Sequence, residues 1–194
     1  PLEIATAHRL VRELRLRMPG VVFGWEDELH FGSEPAYEAL RTSEWWPRPR
    51  DAHPPLDPLE WRRPMTKLLA RFPDAELDEA FDVVRALAGD DATVTLAGDA
   101  FVEVSAPGVS KRAAVEALAA ELGIERREVV AFGDHLNDAE LLGWAGLGVA
   151  VANAHAGART AADEVTASND EDGVALVLER LARRQPRSRE SVGA

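Results

Sequence analysis

The spacing of apolar residues along this chain changes near Pro107-Gly108, and the two stretches predict different kinds of fold. In the first, Ile4, Ala7, Val11, Leu14 and Met18 fall on one face of a helix over residues 3–18. Pro19-Gly20 stops that helix, and Val21-Val22-Phe23-Gly24-Trp25 reads as a strand. Asp27-Glu28 turns it into a second strand at Leu29-His30-Phe31. Residues 65–72 predict another strand, and Pro73-Asp74 opens a helix over 75–88 with Leu77, Phe81, Val84 and Leu87/Ala88 on its apolar face. Residues 93–96 and 101–104 flank the turn residues Ala97-Gly98-Asp99-Ala100 as a hairpin. Residues 20–105 thus predict a small α+β unit with mainly antiparallel strands.

The second stretch alternates helices with short continuous apolar strands, the pattern of an α/β doubly wound parallel sheet. Ser110 is placed to cap a helix over 111–122, with Val115, Leu118, Ala119 and Leu122 as its apolar face. Strands follow at 129–132, 147–151 and 164–167, with a short helix from Ala139 and further helices near 156–162 and over 172–184. Residues 43–58 differ in kind. Five prolines (Pro47, Pro49, Pro54, Pro55, Pro58) around Trp45 and Trp46 predict an ordered loop or extended segment rather than regular structure. The polar, arginine-bearing residues 185–194 read as a flexible tail.

The chemistry gathers at the carboxyl end of the 129–132 strand. Gly133-Asp134-His135-Leu136-Asn137-Asp138 lets the chain turn at a glycine and then presents Asp134, Asn137 and Asp138, groups suited to a cation or a phosphate. Asn137 and Asp138 fall at the start of the next helix. The carboxyl ends of strands in an open α/β sheet are where ligands bind. Lys111 opens a helix, where a cation opposes the helix dipole, and a phosphate bound there would account for it. Taken singly, each has a plain structural reading: a surface lysine, a turn aspartate, two helix caps.

Composition narrows the partners. A net charge of -12 argues against nucleic acid, whose phosphates reward basic surfaces. The same charge requires a phosphate site to bring its own positive charge, from a lysine or a metal ion. With no cysteine, disulfides and thiolate chemistry are excluded. No apolar run reaches the roughly 20 residues of a membrane span, so a cytoplasmic protein without a membrane partner is expected. Oligomeric state is left open.

Taken together, Gly108-Val109-Ser110-Lys111, the helix ending Leu122-Gly123-Ile124, Gly133-Asp134 with Asn137-Asp138, and Val149-Ala150-Val151-Ala152-Asn153-Ala154 resemble the haloacid dehalogenase superfamily of phosphatases. The hairpin before Gly108 and the segment Val165 to Val174 resemble its Cof-type branch, whose members carry a large α/β cap. The resemblance is specific from about residue 93 to 182 and weaker over 20–92. It implies residues 1–19 as a core helix, 20–106 as an inserted α+β cap domain, 107–184 as the C-terminal part of a doubly wound core, and 185–194 as the tail. It also implies a Mg2+-dependent phosphomonoester hydrolase acting on a small phosphorylated metabolite through an aspartyl-phosphate, sugar phosphates being common in the branch. Asp134 would ligate Mg2+, Lys111 would hold the phosphoryl group, Asn137 would contact the phosphate, and Asp138 would orient Lys111.

One part of the pattern does not appear. The branch's nucleophile motif, Asp-x-Asp-Gly-Thr after an apolar strand, is not among these 194 residues. Asp170-Glu171-Asp172-Gly173-Val174 has similar spelling but opens the last helix, where acidic residues suit the dipole. The chain is therefore expected to begin inside the core and to be inactive alone. The alternative is a non-catalytic module binding a phosphorylated ligand or a protein partner.

Overall fold

A computed structural model describes residues 1–28, 30–40, 52–97 and 101–184, and the chain divides into two units, residues 1–113 and 114–194. The first contains helix α1 (Ile4–Arg17), strands β1 (Val22–Asp27) and β2 (His30–Ser33), helix α2 (Pro35–Ala39), strand β3 (Lys67–Arg71), helix α3 (Leu77–Ala88), and strands β4 (Thr93–Ala97) and β5 (Phe101–Ser105). The strands form one antiparallel sheet in the order β2-β1-β3-β5-β4. Alternation divides its side chains between two faces. One carries Val22, Phe31, Leu69 and Phe101 against Tyr37 of α2. Phe23, Trp25, Leu68, Ala70, Val102 and Val104 point to the other side and are buried as well.

Helix α1 buries Ala7, Leu10, Val11 and Leu14 within this same unit and packs against α3. Arg9 ties the two helices by donating to the Leu87 carbonyl at 2.8 Å, and Leu2 bridges Met65. The β1–β2 turn reverses at Glu28 with φ 48°, the left-handed geometry that a two-residue hairpin demands. Of the proline-rich segment, residues 41–51 with Trp45 and Trp46 lie outside the described residues, as do turn residues 98–100 and tail residues 185–194. Its end is held along β2: His53 N donates to Phe31 O at 2.8 Å and Leu56 N to Ser33 O at 3.0 Å, before a 3-10 turn at Pro58–Glu60.

The second unit carries α5 (Ala139–Trp144), α6 (Ala156–Ala161) and α7 (Gly173–Arg184) around strands β6 (Val130–Gly133), β7 (Leu147–Ala150) and β8 (Glu164–Val165). These strands are all parallel, in the order β6-β7-β8. Parallel pairing requires helical crossovers, which is why the apolar runs of β6 and β7 are separated by α5. The small core is Ala131, Leu142, Ala145, Ala150, Val151, Ala154 and Ala158. Helix α4 (Lys111–Leu122), in whose first turn the boundary between the units falls, departs from its expected packing. Only Ala119 of its predicted apolar face is buried, while Leu118 and Leu122 stay 54% and 62% exposed, for no apolar neighbour among the described residues covers them.

Two carboxylates converge on Lys67 in the first sheet. Its Nζ lies 2.9 Å from Glu103 and 3.6 Å from Glu26, the latter directly opposite it across β1 and β3. Burial alone would lower the Lys67 pKa, but the Glu103 hydrogen bond and both negative charges outweigh it and hold it above 10.5. A raised lysine pKa contributes stability that is complete below the unfolded value and is lost as pH rises through the folded one. The stability of the wild type against urea should therefore fall as pH rises past the ordinary lysine range, a fall that Lys67→Met lacks. Equal pH dependence in the two proteins would refute the coupling.

Candidate functional site

Strand β6 delivers the chain to the carboxyl edge of the parallel sheet, where residues 134–138 form a closed loop. The closing group is the Asp138 carboxylate, which is 4% exposed. Its Oδ2 accepts the backbone N–H of Asp134 at 3.1 Å and that of His135 at 3.0 Å. These two donors have no strand partner once β6 has ended, so a buried carboxylate takes the place of a ladder acceptor. Gly133 is needed because of this latch rather than for a left-handed turn, and its φ is not positive. A Cβ there would stand 2.5 Å from the Asp138 Cβ and 2.9 Å from its Cγ.

The neighbouring loop, at the end of β7, secures the other side. His155 N donates to the Asp134 carbonyl at 2.7 Å, and Val151 N reaches Gly133 O at 3.3 Å. The His155 and His135 rings stand 5.8 Å apart. Asn153 in turn pairs with Asn169, whose N–H donates to the Asn153 Oδ1 at 3.2 Å. Thus the Asp134 backbone is fixed by its N–H from one loop and by its carbonyl from the next. Its side chain is exposed and has no protein hydrogen bond or ion pair among the described residues.

Asp134, Asn137 and Asp138 therefore share one loop, with Asn137 half-buried in the 3-10 turn Leu136–Asp138 that leads into α5. Asp138 precedes α5 as expected, but its side chain makes no cap bond to that helix. It turns back toward β6 instead, because the two N–H groups of the loop compete for the same carboxylate. Lys111 is the first residue of α4, with an exposed side chain, and belongs to the first unit. Ser110 caps the helix by accepting from Ala113 N at 3.1 Å. The Asp170–Gly173 stretch is a helix start: Ser168 Oγ accepts from Asp170 N at 3.2 Å, and Asp172 takes φ 56° before α7. Spacing alone does not point to His155 or to the pairing of Asn153 with Asn169; the signals are a polar turn following a second apolar strand and the place of both asparagines in segments that carry the family resemblance.

The donor set suits a hard divalent cation. Asp134 offers an uncommitted carboxylate, and Mg2+ is commonly held by one or two carboxylates with water and phosphate oxygens completing the shell. Asp138, already accepting two N–H groups, supports the backbone that carries this carboxylate. Magnesium is thus compatible with the residues present.

Residues 49–178 match the family described as haloacid dehalogenase-like hydrolase, and the chain belongs to that family. Within it, the resemblance is to the Cof-type phosphatases. The chain is similar to phosphatase YwpJ of Bacillus subtilis, at 40% identity over 92 residues that cover 47% of this chain and 32% of that protein. It is also similar to 5-amino-6-(5-phospho-D-ribitylamino)uracil phosphatase YcsE of Bacillus subtilis, at 43% identity over 77 residues, 40% of this chain and 31% of that protein. Among solved structures, TM0651 of Thermotoga maritima resembles it with a TM-score of 0.66 and 26% identity, over 92% of this chain and 67% of that one. The matched stretches thus span about a third of the two curated relatives.

The latch makes a definite demand on stability. Asp138→Ala should lower unfolding free energy by about 2 to 4 kcal/mol, since it strands two N–H groups that now bond a carboxylate, whereas Asp138→Asn keeps an acceptor oxygen and should cost about 1 kcal/mol. Urea denaturation measures both, and equal effects from the two variants would show that the oxygen is not what closes the loop.

Proposed function

We propose that the intact protein is a Mg2+-dependent phosphomonoester hydrolase acting on a small phosphorylated metabolite, a sugar phosphate or a compound like it. The observation that carries this reading is the Asp134 carboxylate: exposed, without a protein partner among the described residues, and mounted on a backbone locked from both sides at the end of a parallel strand. Phosphoryl transfer asks a protein mainly for positioning and charge neutralisation. Asp134 would hold the Mg2+, which when bound supplies positive charge to the phosphoryl oxygens. Asn137 is proposed to donate to the phosphate, and Lys111, by the family resemblance, to hold the phosphoryl group with its ammonium. Asp138 acts by position, and in the same resemblance it orients Lys111. The names of the two curated relatives reported above, both phosphatases, support the substrate class.

The family's route through an aspartyl-phosphate needs an attacking aspartate. None of the aspartates in these 194 residues stands in the Asp-x-Asp-Gly-Thr motif, and Asp170 and Asp172 serve a helix start instead. We accordingly propose that these 194 residues alone do not hydrolyse phosphate esters. The absent motif also favours a second reading, in which the chain works as a non-catalytic module that binds a phosphorylated ligand.

Hydrolysis of p-nitrophenyl phosphate separates these readings. A gene product that carries the nucleophile motif ahead of Pro1 should turn it over with Mg2+, and Asp134→Asn should lower kcat by about 100-fold or more, the scale of losing one charge-stabilising contact. Full activity in Asp134→Asn would exclude the assigned ligand. Absence of turnover in every form, combined with retained phosphate-ester binding, would favour the binding module.

A further inference from the structure

A second cluster of metal-binding groups lies in the first unit, on the β1–β2 hairpin. Asp27 ends β1 and His30 begins β2, and the two residues are direct partners in the antiparallel register. Side chains directly opposite in such a pair share one face. The Asp27 side chain is only 7% exposed, and its Oδ1 lies 3.5 Å from the His30 Nδ1. From a different part of the chain, His53 brings its Nε2 to 3.2 Å from the same oxygen. The three candidate ligand atoms lie within 4.8 Å of one another.

We propose that Asp27, His30 and His53 form a binding site for a divalent cation of the zinc class. Four ligands at the usual zinc distances of about 2.0 to 2.1 Å stand about 3.4 Å apart, the scale of the two separations at Asp27. Two imidazoles and one carboxylate form a donor set that favours zinc, iron, cobalt or nickel over magnesium, which prefers oxygen. With three protein ligands, the fourth position is left to water or to a group on a bound molecule.

The surroundings support the ligands much as outer-shell groups do in metal sites. Arg63 Nη2 holds the other Asp27 oxygen, Oδ2, at 2.6 Å, which sets the carboxylate plane and leaves Oδ1 to the imidazoles. The His53 ring packs 4.8 Å from the ring of Trp61, which is itself buried and 5.5 Å from Trp25. The His53 backbone is bonded to β2 through Phe31 O. Two ligands are thus held by packing and hydrogen bonds. The third, His30, is 45% exposed and can close on the ion by rotating its side chain. This site is separate from Asp134 in sequence and in chemistry, and it does not depend on the phosphatase reading.

Zinc titration of the 194-residue protein by calorimetry tests the proposal, with Co2+ absorption as a second readout of nitrogen ligation. Zn2+ should bind at one site per chain, and Co2+ at the same site should quench the tryptophan emission that arises beside His53 and show the visible spectrum of a four-coordinate ion. His30→Ala, on an exposed side chain, and His53→Ala should each weaken Zn2+ binding by about 100-fold or more, beyond the 10- to 100-fold effect of removing a support residue. Asp134→Asn should leave it unchanged. No Zn2+ binding, binding that survives His30→Ala, or binding lost in Asp134→Asn would overturn the proposal. The first result would leave the cluster as ion pairing around a buried aspartate.

Discussion

The candidate site depends on a single buried carboxylate accepting two backbone N–H groups. Where β6 ends, the chain loses its ladder partners, and Asp138 supplies an acceptor for Asp134 and His135 at 3.1 and 3.0 Å. The small residue at Gly133 follows from this contact, because any side chain there would collide with Asp138. The second bond to the loop, from His155 to the Asp134 carbonyl, needs the first in place to have a fixed target. One consequence is functional: with its backbone held, Asp134 can present its carboxylate outward without reorganising. Pre-ordering of this kind lowers the cost of binding an ion or a charged transition state.

The two units bring their polar groups together by different means. In the parallel unit, side chains gather at strand ends, as topology dictates for open α/β sheets. In the antiparallel unit, the Asp27 group arises from a hairpin register and from a segment laid beside β2 by two backbone hydrogen bonds. That unit gains rigidity from its sheet, in which Lys67 joins neighbouring strands through Glu26 and Glu103. Arg71 donates to the Leu40 carbonyl and lies over Tyr37, so it serves the unit's own packing. Trp25 and Trp61 are likewise buried against one another.

Period and turn chemistry made most elements legible. Helix α4 runs over Lys111–Leu122 as its cap and spacing predict, and the parallel order of β6, β7 and β8 follows from apolar runs separated by helices. The loop with Asp134, Asn137 and Asp138 was visible because glycine, carboxylates and a strand end fall within six positions. What periodicity could not show was direction: Asp138 reads as a helix cap, yet it reaches backward to the loop. Nor could it show coverage, since the apolar stripe of α4 meets no neighbour among the described residues that buries Leu118 and Leu122. The Asp27–His30–His53 group was hidden because His53 arrives from within the proline-rich stretch, held by contacts that leave no period in the sequence.

Paramagnetic broadening by Mn2+, a Mg2+ surrogate, tests the central claim about Asp134 most directly, because it registers even weak binding to individual backbone amides. On the 194-residue chain, broadening should centre on residues 134–138 and reach the adjoining loop at 153–155, and Asp134→Asn should abolish it there. Signals of the 134–138 loop that stay sharp, or broadening that persists in Asp134→Asn, would contradict the account.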